Sequence, residues 1–224
     1  MNNTFFRTSV FGLLAIGFYY ASQYVQLPAL LFLKENQGAS LTLAQTSISI
    51  GIYLLLIVTA LALAIYWKFV NIKEKLSFKM LALTLSVGEI ATYMVGFIGA
   101  LISFALGDEL ISSNQQAINE LVSLLPIALL FTMTVIGAPV IEEVIFRGFL
   151  PAIFSEKWRW IGYVIGAILF GLAHHPNTVG AAVQYIGMGA VFSLVAYFGK
   201  RLEYSIFLHM LHNGIAFFVM MSQR

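Results

Sequence analysis

The chain has 224 residues, of which 60% are hydrophobic and only 10% carry a charged side chain. A net charge of +2 gives no electrostatic footprint for a nucleic-acid partner. The absence of cysteine excludes disulfides, cysteine–zinc sites and a thiol nucleophile. Apolar runs of about 20 residues recur along the chain, which predicts an all-α, polytopic bundle of transmembrane helices.

Hydropathy predicts about seven membrane spans in a single domain that covers residues 1–224. They are expected near residues 8–33, 47–70, 80–106, 121–150, 160–174, 179–198 and 204–221. Small residues are frequent in the sixth span, which permits close helix packing. No internal repeat, linker or low-complexity segment suggests a second domain.

The fourth apolar stretch, residues 121–150, is longer than a bilayer requires at about 1.5 Å of rise per residue. Pro139 lacks a backbone N–H and frees the carbonyl of Val135, which favours a kink. Two descriptions remain open for this stretch. It forms one kinked span, or a span followed by a shorter helix that starts at Pro139.

Lysine and arginine are distributed unevenly among the loops. With seven spans, Arg7 and residues 68–79, 157–159 and 200–201 fall on one side of the membrane. The opposite loops contain Lys34 among mostly acidic residues. Because basic residues concentrate in cytoplasmic loops, we expect a cytoplasmic N-terminus. The compact chain without long loops favours a bacterial cytoplasmic membrane.

Two adjacent carboxylates and an arginine interrupt the fourth stretch, namely Glu142, Glu143 and Arg147. Ionisable groups at membrane depth are costly and are usually functional. On a helix Glu143 and Arg147 share a face and can pair, whereas Glu142 points about 100° away and stays available for chemistry. The alternative is a structural pair that joins two helices. Glu89, in the third span, is expected to pair with a neighbouring helix.

All the histidines lie in the last third of the chain: His174 and His175 end the fifth span, and His209 and His212 are in the seventh. His209 and Asn213 are four residues apart and share a helix face. Counted from the cytoplasmic helix ends, Glu142 and Asn213 lie at about 18 Å and His174 at about 22 Å. We therefore expect these side chains to meet around one polar cavity.

This set of side chains favours hydrolysis by water. A carboxylate beside an imidazole can take a proton from water, and imidazole and amide N–H groups can stabilise an oxyanion. A carboxylate with two histidines is also a plausible zinc site. However, neither the His-Glu-x-x-His motif nor the Gly-x-Ser-x-Gly motif is present.

Three motifs stand in order within residues 121–218: Glu142-Glu143-x-x-x-Arg147, Phe170-x-x-x-His174 and His209-x-x-x-Asn213. The chain thereby resembles the CPBP intramembrane endopeptidases, also called the Abi family. This family comprises type II CAAX prenyl endopeptidases and bacteriocin-processing or bacteriocin-immunity proteins.

The resemblance implies a role for each matched residue. Glu142 would activate water with the help of His174, and His209 with Asn213 would stabilise the oxyanion. Glu143, Arg147 and Phe170 would support the site. Both glutamate-type and metal-dependent mechanisms have been discussed for the family. We favour the metal-free mechanism without a cofactor. If zinc is present, its expected ligands are Glu142, His174 and His209.

The expected substrate is a small peptide or protein associated with the lipid bilayer, and no oligomeric state is predicted. The main alternative is a non-catalytic membrane protein for bacteriocin immunity or for regulation of a membrane partner. A transporter is disfavoured, because inverted-repeat signs are lacking. His175 and His212 lie outside the motifs and receive no role.

Overall fold

The computed structural model describes residues 4–222, and helices are the regular structure of that part of the chain. This confirms the predicted all-α fold. The predicted domain of residues 1–224 extends beyond the described residues at both ends. The helices are α1 (Thr4–Tyr24), α2 (Leu27–Glu35), α3 (Leu43–Tyr66), α4 (Phe78–Leu106), α5 (Ser113–Leu124), α6 (Ile127–Ile153), α7 (Arg159–Ala173), α8 (Val179–Gly199) and α9 (Leu202–Ser222).

Helix α6 is the central element of the bundle. Five described helices are long and apolar enough to cross a membrane, namely α3, α4, α6, α8 and α9. In α6, 72% of an apolar segment of 18 residues is buried inside the bundle, against 22–44% of the corresponding segments in the other four helices. The other helices therefore surround α6 and turn much of their apolar surface outward, as expected for a polytopic membrane protein. Glu142, Glu143 and Arg147, which lie in α6, are consequently removed from the lipid.

The first predicted span, residues 8–33, consists of two helices and not one. α1 ends at Tyr24 and α2 begins at Leu27, with Pro28 in its first turn. Proline is tolerated in the first turn of a helix, because the first N–H groups have no partner within the helix. Gln23 lies in the last turn of α1 and Gln26 lies in the break itself, and both residues line the wall of a cavity.

The fourth predicted stretch divides at Leu125-Pro126, so its predicted start at residue 121 is wrong. Its first residues belong to α5, where the Ser112 side chain accepts a hydrogen bond from the backbone N–H of Gln115. From Ile127 onward α6 is continuous through Pro139. The description with a separate shorter helix at Pro139 is therefore excluded.

Two π-helical turns let α6 accommodate its prolines. The turn Thr132–Gly137 precedes Pro139, and the turn Val144–Phe149 precedes Pro151. A proline cannot donate to the carbonyl of the preceding turn, and a local π-helical turn changes the spacing of the donors there. The second turn contains Arg147.

Helix α7 is shorter than the hydrocarbon layer of a membrane. It has 15 residues and begins among Trp158, Arg159 and Trp160, residue types that anchor helices at the membrane interface. Its length is about 22 Å, whereas the hydrocarbon layer is about 30 Å thick. His174, which directly follows α7, is therefore expected below the opposite membrane surface. The first and fifth predicted spans correspond to α1 with α2 and to α7. These helices are not among the five that are long and apolar enough to cross a membrane.

Small residues bring α8 close to its neighbours, as its sequence indicates. A Cβ atom on Gly180 would lie 2.3 Å from the carbonyl oxygen of Gly99 in α4. A Cβ atom on Gly189 would lie 2.6 Å from the carbonyl oxygen of Ala167 in α7. Neither side chain could be accommodated without a shift of backbone. This packing brings the backbone of α8 within reach of Arg147.

The two ends of the bundle differ in charge. At one end, Arg7 donates to the carbonyls of Ala152 and Phe154, and Arg201 donates to the carbonyl of Asn71. We call this the basic end. At the other end α1, α4, α7 and α9 finish and α6 and α8 begin; we call it the cavity end.

Candidate active site

A cavity of about 370 Å³ lies between α1, α5, α6, α7, α8 and α9. It reaches from the middle of α6 to the cavity end of the bundle. Its walls include Glu142, His174, His209 and Asn213. The structure thus brings together, from three separate parts of the chain, the four residues that the sequence predicts to meet.

The carboxylate of Glu143 is buried and uses both of its oxygens inside the bundle. Its Oε1 accepts from Nη1 of Arg147 at 2.9 Å and from Nδ1 of His209 at 3.0 Å. Its Oε2 accepts from the hydroxyl of Ser205. The predicted pairing of Arg147 with Glu143 is confirmed. Glu143 is therefore a junction between α6 and α9 and is not exposed to the cavity.

Arg147 joins α6 to α8. Its Nη2 donates to the carbonyl of Gly189 at 2.8 Å, and its Nε donates to the hydroxyl of Ser193 at 3.3 Å. Its guanidinium lies 4.5 Å from the ring centroid of Phe170, within the range of a cation–π interaction. A buried arginine needs such a complete set of partners, because an unpaired charge in this environment is costly.

Phe170 separates the buried ion pair from the cavity. Its ring centroid lies 4.6 Å from that of His174 and 5.7 Å from that of His209. The side chain is fully buried. The aromatic residue of the second motif therefore fixes the positions of two imidazoles by packing, which agrees with a supporting role.

Glu142 differs from its neighbour Glu143 in its environment. Its side chain is 22% exposed and lines the cavity, and its Oε2 has no hydrogen-bond partner within the described chain. Nε2 of His209 lies 3.9 Å from this oxygen, beyond direct hydrogen-bond distance. Of the two adjacent carboxylates, Glu142 is thus the one that can act on a molecule in the cavity.

The hydrogen bonds of the two motif histidines determine which ring nitrogen faces the cavity. Nδ1 of His174 donates to the carbonyl of Phe170 at 2.8 Å, since a carbonyl only accepts. Its ring stacks on Tyr185 at 4.5 Å. Nδ1 of His209 is engaged with Glu143, and its ring stacks on Phe192 at 4.5 Å. In both rings Nε2 is the atom that remains for chemistry.

Asn213 is held by the π-helical turn of α6. Its Nδ2 donates to the carbonyl of Thr134 at 2.8 Å. In i→i+5 spacing the donor for this carbonyl would be Pro139, which has no N–H. The proline thereby leaves an acceptor that positions Asn213. The second N–H and the oxygen of the Asn213 side-chain amide remain without a partner within the described chain.

His212, one of the two histidines without a predicted role, also contacts a carboxylate. Nδ1 of His212 lies 3.0 Å from Oε1 of Glu89, and His212 lines the cavity. The expected pairing of Glu89 with a neighbouring helix is confirmed.

Three residues of the ion-pair network were missed by sequence reasoning: Gly189, Ser193 and Ser205. Ser205 precedes His209 by four residues, so it shares a face of α9 with a motif residue. That spacing could have identified it. The small residues of the sixth predicted span, which include Gly189, indicate only close packing, but the carbonyl of Gly189 is also a partner of Arg147.

Within residues 4–222, no group of three or more His, Cys, Asp or Glu side chains is arranged to hold a metal ion. Glu142, His174 and His209, the expected ligands if zinc is present, line one cavity without forming such a group. The two free Nε2 atoms and the unpartnered carboxylate oxygen are nevertheless atom types that bind zinc.

Comparison with known proteins gives matches around the three motifs. The family model of the type II CAAX prenyl endopeptidase Rce1-like proteins matches residues 124–215. The chain is 30% identical over 228 residues to the membrane-embedded CAAX protease MroQ of Staphylococcus aureus (strain USA300), covering 90% of this chain and 85% of that protein. It is 30% identical over 124 residues to the UPF0177 protein YbdI of Lactococcus lactis subsp. lactis (strain IL1403), covering 55% of this chain and 63% of that protein. No solved structure matches the chain.

Proposed function

The chain belongs to the CPBP family of membrane proteases, and on this premise we propose that it is an intramembrane endopeptidase for a small membrane-associated peptide or protein. The observation that carries the proposal is the difference between two adjacent carboxylates. Glu143 is saturated by Arg147, His209 and Ser205. Glu142 instead lines a polar cavity with a partly exposed side chain, and its buried Oε2 has no hydrogen-bond partner within the described chain.

In the proposed reaction, Glu142 accepts a proton from a water molecule while the water oxygen attacks the substrate carbonyl. His174 assists by accepting a hydrogen bond from this water at its free Nε2. The carbonyl oxygen becomes an oxyanion as the new C–O bond forms. The proton held by Glu142 then passes to the amide nitrogen as the C–N bond breaks, which releases two peptide products.

The oxyanion is proposed to lie against Asn213 and His209. The remaining N–H of the Asn213 amide serves as one donor, because the other is fixed on Thr134. Nδ1 of His209 is engaged with Glu143, so Nε2 donates only when the ring carries a second proton. We therefore propose that His209 carries a second proton in this step, beside the Glu143 carboxylate that it shares with Arg147.

Replacement of Asn213 by Ala is expected to lower kcat by about 100- to 1,000-fold and to leave measurable activity. The reason is that one of two oxyanion donors is lost while Glu142 is retained. Cleavage of a fluorogenic peptide by purified protein would measure it. Asn119→Ala, on the exposed face of α5 and outside the cavity lining, is the control and should leave kcat unchanged. Wild-type activity in Asn213→Ala would exclude this role.

Metal dependence is tested by chelation followed by metal analysis. We expect purified protein without bound zinc to retain its cleavage activity. Loss of activity on chelation, with recovery on addition of zinc, would contradict the metal-free mechanism. It would make Glu142, His174 and His209 the ligands.

The proposed location is a bacterial cytoplasmic membrane with the N-terminus in the cytoplasm. Among the described residues, every Lys and Arg except Lys34 and the buried Arg147 lies at the basic end. Basic residues concentrate on the cytoplasmic side of membrane proteins. The two similar proteins named above are bacterial.

A further inference from the structure

The wall of the cavity near its opening carries amide side chains. Gln23 lies near the end of α1, Gln26 lies between α1 and α2, and Gln184 lies in the first half of α8. None of these three side chains makes a hydrogen bond within residues 4–222. Each therefore offers a free donor and a free acceptor to the contents of the cavity.

The charges around the cavity are unfavourable for an acidic ligand. No Lys or Arg belongs to its described lining, and Glu142 is the acidic residue there. A negative group of the substrate would lie near the Glu142 carboxylate, and the proposed imidazolium of His209 is already paired with Glu143. The cavity is therefore suited to a segment that carries neither acidic side chains nor a free terminal carboxylate.

Free amide groups are suited to an extended peptide. An extended backbone exposes an N–H and a C=O at each residue, and inside a membrane these groups cannot be satisfied by bulk water. The amide of a Gln side chain can donate to the C=O and accept from the N–H. A helical segment satisfies its own backbone and would gain little from the same side chains.

The opening of the cavity lies opposite the basic end. Its lining includes residues at the end of α1, at the start of α5 and near the end of α9, with Gln23, Ala117 and Ala216 exposed. If the basic end is cytoplasmic, the cavity opens on the non-cytoplasmic side of the membrane. A substrate would then enter from that side.

We propose that the site takes an extended peptide segment free of negative charge from the non-cytoplasmic side, with Gln23, Gln26 and Gln184 holding its backbone. This inference rests on the proposed function and specifies its substrate class. It places the scissile bond inside the bound segment, because a terminal carboxylate beside Glu142 would be repelled.

The side of entry is tested without any assay of activity. The chain contains no cysteine, so a single introduced cysteine reports one position. Asn119→Cys places a thiol on the exposed face of α5 at the cavity end, and Lys73→Cys places one in the exposed loop at the basic end. A membrane-impermeant maleimide is expected to label Asn119→Cys in intact cells and Lys73→Cys only after permeabilisation. The reverse pattern would overturn the proposed side of entry.

The substrate class is tested with a library of N-acetylated, C-amidated decapeptides and mass spectrometry of the products. Cleavage is expected at internal bonds, with Asp and Glu excluded next to the cut. Gln184→Ala should raise KM by about 2- to 10-fold with little change in kcat, the effect of one lost hydrogen bond to a neutral group. Gln116→Ala, an exposed glutamine of α5 outside the cavity, is the matched control.

The outcomes separate the inference from the proposed function. If cleavage depends on Glu142 but Gln23→Ala, Gln26→Ala and Gln184→Ala all retain the wild-type KM, the inference is wrong and the proposed function stands. A preference for acidic peptides would likewise overturn the inference alone. A wild-type protein that cleaves no member of the library would count against both.

Discussion

Replacement of Glu142 by Gln is expected to leave the protein folded and to remove nearly all peptide cleavage. Gln preserves the size of the side chain but cannot accept a proton from water. A general base contributes about 100- to 10,000-fold to a reaction rate. The fold should tolerate the change, since Oε2 of Glu142 has no hydrogen-bond partner to lose. Cleavage rate and thermal unfolding of the purified variant would measure both effects.

Glu203→Gln is a matched control for the loss of a carboxylate. Glu203 pairs with Arg201 at the basic end and does not line the cavity, so its substitution should leave cleavage unchanged. Wild-type cleavage by Glu142→Gln would exclude Glu142 as the base. A biological phenotype such as bacteriocin immunity that survives Glu142→Gln unchanged would show that the fold serves that role by binding.

Replacement of Arg147 by Ala is expected to reduce the amount of folded protein as well as activity. The change leaves Glu143 buried without its cation and removes the partner of the Gly189 carbonyl. Breaking a buried ion pair by removing one partner costs about 3–5 kcal/mol. Expression yield and the temperature of thermal unfolding in detergent are the measurements.

A second substitution distinguishes loss of the ion pair from loss of packing. Glu143→Gln in the Arg147→Ala background removes the unpaired charge, so part of the lost stability should return. Activity should stay low, because His209 loses its charged partner. Normal yield and unfolding temperature of Arg147→Ala alone would show that Arg147 is not structural.

Features that depend on helical geometry within one segment could be predicted from the sequence. The apolar runs predicted the all-α bundle, and the four-residue spacing predicted the pair of Glu143 and Arg147. The different directions of Glu142 and Glu143 follow from the same geometry. These predictions succeeded because a helix repeats every 3.6 residues, so neighbours on one face are known before any packing is considered.

The positions of the helix breaks depended on tertiary structure. Pro28 and Pro126 lie at breaks, whereas Pro139 lies within a continuous helix. The missing N–H is the same in all three cases. At Pro139 a π-helical turn changes the hydrogen-bond spacing, and Asn213 of α9 uses the carbonyl of Thr134. Residues 79 positions apart in sequence therefore meet at this site.

The assignment of Glu142 to the cavity was also completed by packing. Sequence alone indicates that one carboxylate of the pair is neutralised, but Ser205 and His209 of α9 are what saturate Glu143. The link between His212 and Glu89, and the contact of Arg147 with the Gly189 carbonyl, join different helices in the same way. Spacing within one helix determines which side chains share a face. The approach of a second helix determines which of them remain free to react, because partners from distant segments satisfy the others.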